Sequence, residues 1–299
     1  MSYDLSFYKP AGKPFSLGKL EAFFRGNELF QVSGDISESM QFFYENEATG
    51  AYFSFDFYAS SMREPSEYEG YQPTGLSFNV NYCRPCYFIH EAVLPMAELM
   101  QTFGLFMVDP QGKGEVEPFD AQIVTDGWEK SNEWATKAMS KMGNQSGVFM
   151  PKEEILRWWR YTYYAKPILD EDAAFDFMVF NPSMWLFYDA ENERARLGYL
   201  FQPSLRMTIP EGVEVCLMAD METDPTGGGI VSAERALELM ADSLEKETFV
   251  YPPDNEERPL TIYDNEKYPE VLTLFNAEDS VDPQSMPLLK GTQVIEVQV

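Results

Sequence analysis

Few residues in this chain can carry redox, metal or nucleophile chemistry. The 299 residues include three cysteines, Cys83, Cys86 and Cys216, and a single histidine, His90. An odd and sparse set of cysteines argues against a disulfide framework and is typical of a reducing compartment. Triad chemistry would have to use His90, and no serine lies in the GxSxG pattern of a nucleophile elbow. These scarcities favour a protein that has no cofactor and is not an enzyme.

Long apolar runs and basic residues are also scarce. No apolar stretch approaches the roughly 20 residues that cross a bilayer, and the N-terminal sequence has no basic segment followed by an apolar one, so we expect a cytoplasmic protein. Lys and Arg number 22 against 49 Asp and Glu, which gives a net charge of −27. Such a surface repels nucleic acid and anionic membranes and attracts basic partners by steering. The same charge would also serve solubility alone.

The hydrophobic pattern predicts a half-buried sheet near the N-terminus. Residues 3–8 alternate polar and apolar side chains, residues 17–26 show helical spacing, and residues 41–58 are typical of a β-hairpin. In the second strand of that hairpin, Ser54 and Asp56 share one face, opposite a row of phenylalanines. This alternation indicates an antiparallel strand with one solvated face.

Helices follow in the middle of the chain. Asp126, with Glu129 three residues later, predicts the start of a helix that runs to about Met142 and turns Trp134, Ala138 and Met142 inward. A second helix is predicted to begin after Pro151 and to run to Pro167, because acidic residues occupy its first turn.

We therefore predict an α+β fold with mainly antiparallel or mixed sheets flanked by helices. The predicted division is an N-terminal α+β lobe over 1–110, a central helical segment over 111–170 and a C-terminal β-rich lobe over 171–299, although one continuous domain is equally compatible with the pattern. Acidic, proline-bearing loops are expected between a helix that follows Ser232 and a terminal strand over 293–299.

The Cys83-Arg-Pro-Cys86 motif has CxxC spacing, and His90 follows four residues later. Zinc would need a fourth ligand, and no second such pair occurs in the sequence. A redox CxxC opens a helix after a strand, as this motif does. Because a lone CxxC carries little information, we favour thiols of a packed loop, and Cys83, Cys86 and His90 are only weak metal candidates.

Aromatic and acidic clusters supply the candidate partner-binding residues. Trp158 and Trp159 lie about 100° apart on the predicted helix, so either the helix packs on both sides or one tryptophan faces a partner. The acidic clusters lie in predicted loops, and solvated loops are their plainest interpretation. The candidates are Glu64, Glu67, Glu69, Trp158, Trp159, Asp170, Glu171, Asp172, Asp220, Glu222 and Asp224.

Four short segments carry a resemblance: residues 1–9, the hairpin at 43–55, the strand at 76–84 and Trp159-Arg160-Tyr161. Together they resemble an uncharacterised family of bacterial cytosolic proteins that is associated with polymorphic-toxin and contact-dependent secretion loci. The likeness covers roughly the first two thirds of the chain and includes no catalytic motif, so it carries over no functional residues. What it implies is an immunity protein that holds a cognate toxin.

Charge and resemblance together predict a binding protein, an immunity protein that neutralises a cognate basic toxin effector by occluding it. The alternative is a carboxylate-dependent hydrolase that acts on carbohydrate, because such enzymes need only two carboxyl groups across a cleft. A third hypothesis is mimicry of nucleic acid by ordered carboxylates. The sequence identifies neither the carboxyl pair nor the partner.

Overall fold

In the computed structural model, which describes residues 1–143, 147–171, 179–218, 228–251 and 256–297, antiparallel and mixed sheets pack with helices. The α+β prediction is confirmed. Contacts group the chain into two compact units, residues 1–146 with 297–299 and residues 147–296. No helix among the described residues is both long and apolar enough to cross a membrane.

The first unit is built on one antiparallel sheet of seven strands. Its elements in chain order are β1 (Ser2–Pro10), α1 (Leu17–Arg25), β2 (Phe30–Asp35), β3 (Ser39–Asn46), β4 (Ala51–Tyr58), β5 (Tyr71–Asn81), α2 (Tyr87–Phe103), β6 (Phe106–Val108), β7 (Val116–Pro118) and α3 (Ala121–Lys141). The strands lie in the order β2-β3-β4-β5-β1-β6-β7. A short 3₁₀ turn, Ser61–Arg63, lies between β4 and β5. Strand β2 was not predicted.

Aromatic packing fixes the covered face of this sheet. Ser16 caps α1 by accepting from the backbone N–H of Lys19, and Phe24 of α1 stacks on Phe42 with ring centroids 4.0 Å apart. The ring centroid of Phe55 in β4 lies 5.2 Å from that of Phe24. Each such buried ring contributes about 1.5–3 kcal/mol relative to an exposed one. Helices therefore cover one face, and the side chains that alternate with this core point to the other.

A bulge bends the centre of the sheet. The register of β1 with β5 shifts between Ser6 and Tyr8, and Gly75 in the bulged part of β5 has φ +73°. A Cβ at Gly75 would lie 2.4 Å from the carbonyl oxygen of Tyr58, so both the positive φ and the close approach require glycine.

Helix α3 differs from its prediction in start and in orientation. Asp120 is the N-cap and accepts from the backbone N–H groups of Gln122 and Ile123, so the helix begins well before Asp126. The predicted inward stripe is wrong, because Trp134 is 69% exposed and Met142 is 74% exposed. The residues that α3 buries instead are Val124, Thr125, Trp128, Asn132, Ala135 and Thr136.

The second unit has a mixed sheet and a three-stranded antiparallel sheet. Its elements are β8 (Val148–Phe149), α4 (Lys152–Arg160), a π-helical turn (Tyr161–Ala165), α5 (Lys166–Glu171), β9 (Met184–Asp189), β10 (Arg194–Phe201), β11 (Met207–Ile209), β12 (Val215–Met218), β13 (Ile230–Ser232), α6 (Ala233–Leu239), β14 (Leu244–Tyr251), β15 (Glu256–Tyr263), α7 (Tyr268–Asn276), β16 (Leu288–Leu289) and β17 (Val294–Ile295). The mixed sheet has the order β13-β12-β10-β8-β17, and β9 pairs with β10 and β16; the antiparallel sheet has the order β11-β15-β14.

The core of the second unit forms around the mixed sheet. Phe201 of β10 packs its ring 4.9 Å from Tyr263 and 5.2 Å from Phe275 of α7. The predicted loops between Ser232 and residue 293 are wrong in part, because β14, β15 and α7 lie there. Of the predicted terminal strand, only Val294–Ile295 is a strand among the described residues.

Candidate functional site

The uncovered face of the first-unit sheet is the candidate binding surface. We call it the open face and define it as the side chains of β1–β5 that point away from the helices. Its carboxylates are Asp4, Asp35, Glu45 and Asp56. The only Lys or Arg in these five strands is Lys9, which is 9% exposed and donates to Gln72 Oε1 at 3.1 Å. Strands β1–β5 therefore present negative charge to solvent without a balancing exposed cation.

Hydrogen bonds within and between strands orient two carboxylates of the open face. Asp56 accepts from Gln41 Nε2 at 3.0 Å and from Ser54 Oγ at 2.8 Å. Asp4 accepts from Asn79 Nδ2 and from Ser2 Oγ, the latter at 3.0 Å. Because neutral donors hold these groups, their negative charge is fixed in place and is not cancelled.

At the edge of the face, Asp35 is held in the same way. Hydrogen bonds from the hydroxyl and the backbone N–H of Ser37 lower the pKa of Asp35 below its ordinary value. Asp35 therefore remains ionised at neutral pH and adds to the negative potential of the open face.

Aromatic side chains lie among these carboxylates. Phe43 and Tyr52 stack with centroids 6.3 Å apart, and Tyr58 is 51% exposed. At the rim, Arg84 donates from Nε and Nη2 to the Tyr52 hydroxyl at 2.9 and 2.6 Å, and its guanidinium carbon lies 5.5 Å from the Tyr52 ring centroid. Aromatic groups beside oriented polar groups are the composition that dominates binding energy at protein interfaces.

The predicted acidic loop borders this surface. Glu64, Glu67 and Glu69 are exposed, and Tyr68 packs edge-on against Tyr8 of the open face at 5.0 Å. Burial is the main cause that raises the pKa of Tyr8, and the neighbouring Tyr68, Glu67 and Glu64 raise it further. The two glutamates therefore lie close enough to Tyr8 for their charges to act on it. The loop thus extends the negative surface beyond the strand ends.

The remaining predicted partner-binding residues belong to the second unit or lie outside the described residues. Trp158 and Trp159 are 6% and 5% exposed, and Trp158 Nε1 donates to the Met184 carbonyl at 3.1 Å. Helix α4 is therefore packed on both sides, and neither ring is an exposed anchor. In the second unit, Asp170 pairs with Lys166 at 2.6 Å and Glu171 is exposed. Asp172, Asp220, Glu222 and Asp224 lie outside the described residues.

The CxxC motif forms a braced turn. Asn132 is fully buried, and its Oδ1 accepts from the backbone N–H of Cys83 at 2.6 Å while its Nδ2 donates to the Arg84 carbonyl at 2.8 Å. Cys83 has φ +59°, and His90 Nε2 lies 3.3 Å from Glu129 Oε1. Within the described part of the chain, no three His, Cys, Asp or Glu side chains converge as a metal site, so Cys83, Cys86 and His90 do not form a ligand set.

A half-buried charge network in the second unit escaped the sequence analysis. Glu154 of α4 and Glu214 before β12 lie within hydrogen-bonding reach of one another, and each buries one oxygen that contacts no donor. Arg194 lies against Glu214 and has its Nη1 3.7 Å from Glu154 Oε1, and Arg196 Nε lies 3.2 Å from Glu214 Oε2. Burial is the main cause that raises the pKa of Glu154, and the negative charge of Glu214 raises it further. The positive charges of Arg194 and Arg157 partly oppose that rise.

This carboxyl pair does not suit glycoside hydrolysis. Such enzymes hold their two carboxyl groups about 5–9.5 Å apart on either side of a bound sugar. Glu154 and Glu214 both lie against Arg194, and neither lines either of two cavities in the described part of the second unit. Their arrangement is that of an ion-pair network, and their separation by 60 positions leaves no local signal in the sequence.

Comparisons of the chain with models of protein families, with curated proteins and with solved structures found no match. No relative therefore transfers a role to any residue of this chain.

Proposed function

We propose that this protein binds a basic protein partner through the open face of its first unit and acts as an immunity protein that occludes a toxin effector. The observation that carries the proposal is the one-signed charge of that face. Its ionised side chains on β1–β5 are carboxylates, the exposed loop with Glu64 and Glu67 adds further negative charge, and the single cation of the strands is buried.

Physical complementarity favours a cationic protein over other partners. A net charge of −27 disfavours nucleic acid and anionic lipid, whose phosphates would be repelled. A basic partner would be steered to the surface and would associate faster at low ionic strength. The aromatic side chains Phe43 and Tyr58 supply the apolar contact that charge alone does not give.

The cysteines are compatible with action in the cytoplasm. Cys83, Cys86 and Cys216 are all free thiols. Free thiols persist in compartments that keep them reduced. We therefore include a cytoplasmic location in the proposal.

Coexpression with the product of the neighbouring gene tests the proposal. The complex is purified at low ionic strength, and its association rate is measured as salt is raised. Replacing Glu45, Glu64 and Glu67 by glutamine removes three exposed charges at or beside the open face. The matched control replaces Glu191, Glu257 and Glu270, three exposed glutamates of the second unit, by glutamine.

The first triple variant should associate about tenfold more slowly and show a flatter salt dependence, while the control stays close to wild type. Substituting Tyr58 by alanine should raise the dissociation rate without changing the salt dependence, because it removes contact area and no charge. Equal effects of the two triple variants would show that only overall charge matters and would remove the open face from the proposal.

A further inference from the structure

A cavity in the second unit is lined by arginines and apolar residues, although the chain as a whole is strongly acidic. It has a volume of about 230 Å³ and lies between α4 with its π-helical turn and the β11-β15-β14 sheet. Among the described residues, three arginines line it, Arg157, Arg160 and Arg258, together with two acidic residues, Glu153 and Glu211. A protein with more than two acids for every base thus gathers three of its 22 basic residues around one small cavity.

Local structure places two of these arginines on the cavity wall. Arg157 and Arg160 are three residues apart on α4 and therefore lie on the same side of the helix. Arg157 Nη1 donates to the Gly212 carbonyl at 3.0 Å. A Cβ at Gly212, which has φ +67°, would lie 2.6 Å from Arg157 Nε, so glycine lets the guanidinium rest against the backbone.

Arg160 has unused bonding capacity. Among the described residues it makes no hydrogen bond or ion pair, although Glu153 shares the cavity wall. Arg258, whose Nη2 lies 3.9 Å from Glu256 Oε2, is engaged in further interactions as well, so Arg160 is the arginine of this wall with spare donors. Guanidinium groups present several donors in a planar fork that matches carboxylate and phosphate oxygens.

The rest of the lining is apolar. Leu169, Ile209, Phe249 and Leu260 each have less than a tenth of their surface exposed and contribute to the wall. The adjoining π-helical turn, Tyr161–Ala165, is a feature that recurs at functional sites in helices. A few convergent charged groups against an apolar wall form the usual composition of a small-molecule site, and this volume lies below the roughly 300–1,000 Å³ of clefts for drug-sized ligands.

We infer that this cavity binds a small organic anion, a carboxylate or phosphate monoester with an apolar body, whose charged group is held by Arg160, while Arg157 and Arg258 add positive charge to the same wall. The inference is independent of the proposed partner, because every described lining residue belongs to the second unit and none of them belongs to the open face.

Phenyl phosphate is a suitable probe, with inorganic phosphate and phenol as its separate halves, and calorimetric titration of the whole chain measures binding. Phenyl phosphate should bind more tightly than either half. Arg160→Gln should weaken it by about tenfold or more, the value of one hydrogen bond to a charged group. Arg63→Gln, which removes an exposed arginine in the first unit, is the matched control and should leave the affinity unchanged.

Arg160 is exposed and makes no described contact, so its replacement should not disturb folding, and a thermal melt checks this. Failure of phenyl phosphate to bind the wild-type chain at millimolar concentration would overturn the inference. Equal affinity for phenol and phenyl phosphate, or equal losses in Arg160→Gln and Arg63→Gln, would also overturn it, because neither result requires recognition of the anion by the cavity arginines.

Discussion

The buried carboxylate of Glu91 should hold the β3–β4 hairpin to helix α2. Glu91 is fully buried, and its Oε1 accepts from Tyr44 Oη at 2.7 Å, from Asn46 Nδ2 at 2.8 Å and from Thr49 Oγ1 at 3.2 Å. All three donors come from the hairpin and are themselves buried. We therefore expect Glu91→Ala to be among the most damaging single changes in the first unit.

The magnitude follows from the donors that would be left without this acceptor. Each buried polar group that loses its partner costs about 1–3 kcal/mol, and relaxation of the site recovers part of the sum, so Glu91→Ala should lower the free energy of unfolding by about 3–5 kcal/mol. Tyr44→Phe removes one donor and no carbon atom, and should cost about 1–1.5 kcal/mol. Against a typical total of about 5–15 kcal/mol, the first change threatens folding and the second does not.

Native-state hydrogen exchange measures this effect locally. The amides of β3 and β4 should lose protection in both variants, more in Glu91→Ala, while those of the β14–β15 hairpin in the second unit serve as the internal reference. The double variant should cost less than the sum of the single changes, because both remove the same hydrogen bond. A loss below about 1 kcal/mol in Glu91→Ala, or equal losses in the two hairpins, would refute the assignment of Glu91 as the clamp.

Three further changes test other parts of the structure by equilibrium unfolding. Asn132→Ala removes the side chain that braces the turn at Arg84 and should cost about 2–3 kcal/mol, whereas an effect below about 0.5 kcal/mol would show that the turn is held by other contacts. Gly75→Ala should cost at least about 2 kcal/mol, because its positive φ and the facing carbonyl exclude a Cβ, and near-neutrality would contradict the bulge. Glu154→Gln should leave stability at pH 7 unchanged or higher. The raised pKa of Glu154 means that its favourable contribution is complete at low pH and is lost as pH rises through the folded value, so the amide should become the less stable form below pH 4, and the reverse order would contradict the pairing with Glu214.

The alternating segments of the first unit were the most predictable part of the fold. In β4, the sequence placed Ser54 and Asp56 on one side and Phe55 in the core; Phe55 is fully buried and Asp56 is half-buried, whereas Ser54 is buried against its neighbours. Period-two alternation determines the face of each side chain once the strand is known, so the composition of the open face was accessible from the sequence. Its position beside the acidic loop was not, because it depends on the packing of Tyr68 against Tyr8.

Helical periodicity was less informative. Trp128 and Trp134 lie on different sides of α3, and the sequence pattern supports either as the buried one, because only packing against α2 decides which side is covered. Strand β14 was missed because it lies at a sheet edge, where charged residues such as Glu245 and Glu247 interrupt the apolar pattern.

Sites made by distant segments left no signal in the sequence. Arg157 and Arg258 reach the same cavity from elements about a hundred residues apart, and their convergence depends on how α4 meets the β11-β15-β14 sheet. The prediction of partner-binding acids at Glu64, Glu67 and Glu69 remains a prediction. The structure adds that these residues are exposed and lie beside the open face.

A hydrogen-exchange footprint of the chain in complex with its basic partner tests the central claim most directly. Amides of β3, β4 and β5 and of the loop that carries Glu64, Glu67 and Glu69 should gain protection when the partner is added at low salt and lose it when salt is raised. Protection that appears only in the second unit, or that does not respond to ionic strength, would contradict the assignment of the open face as the binding surface.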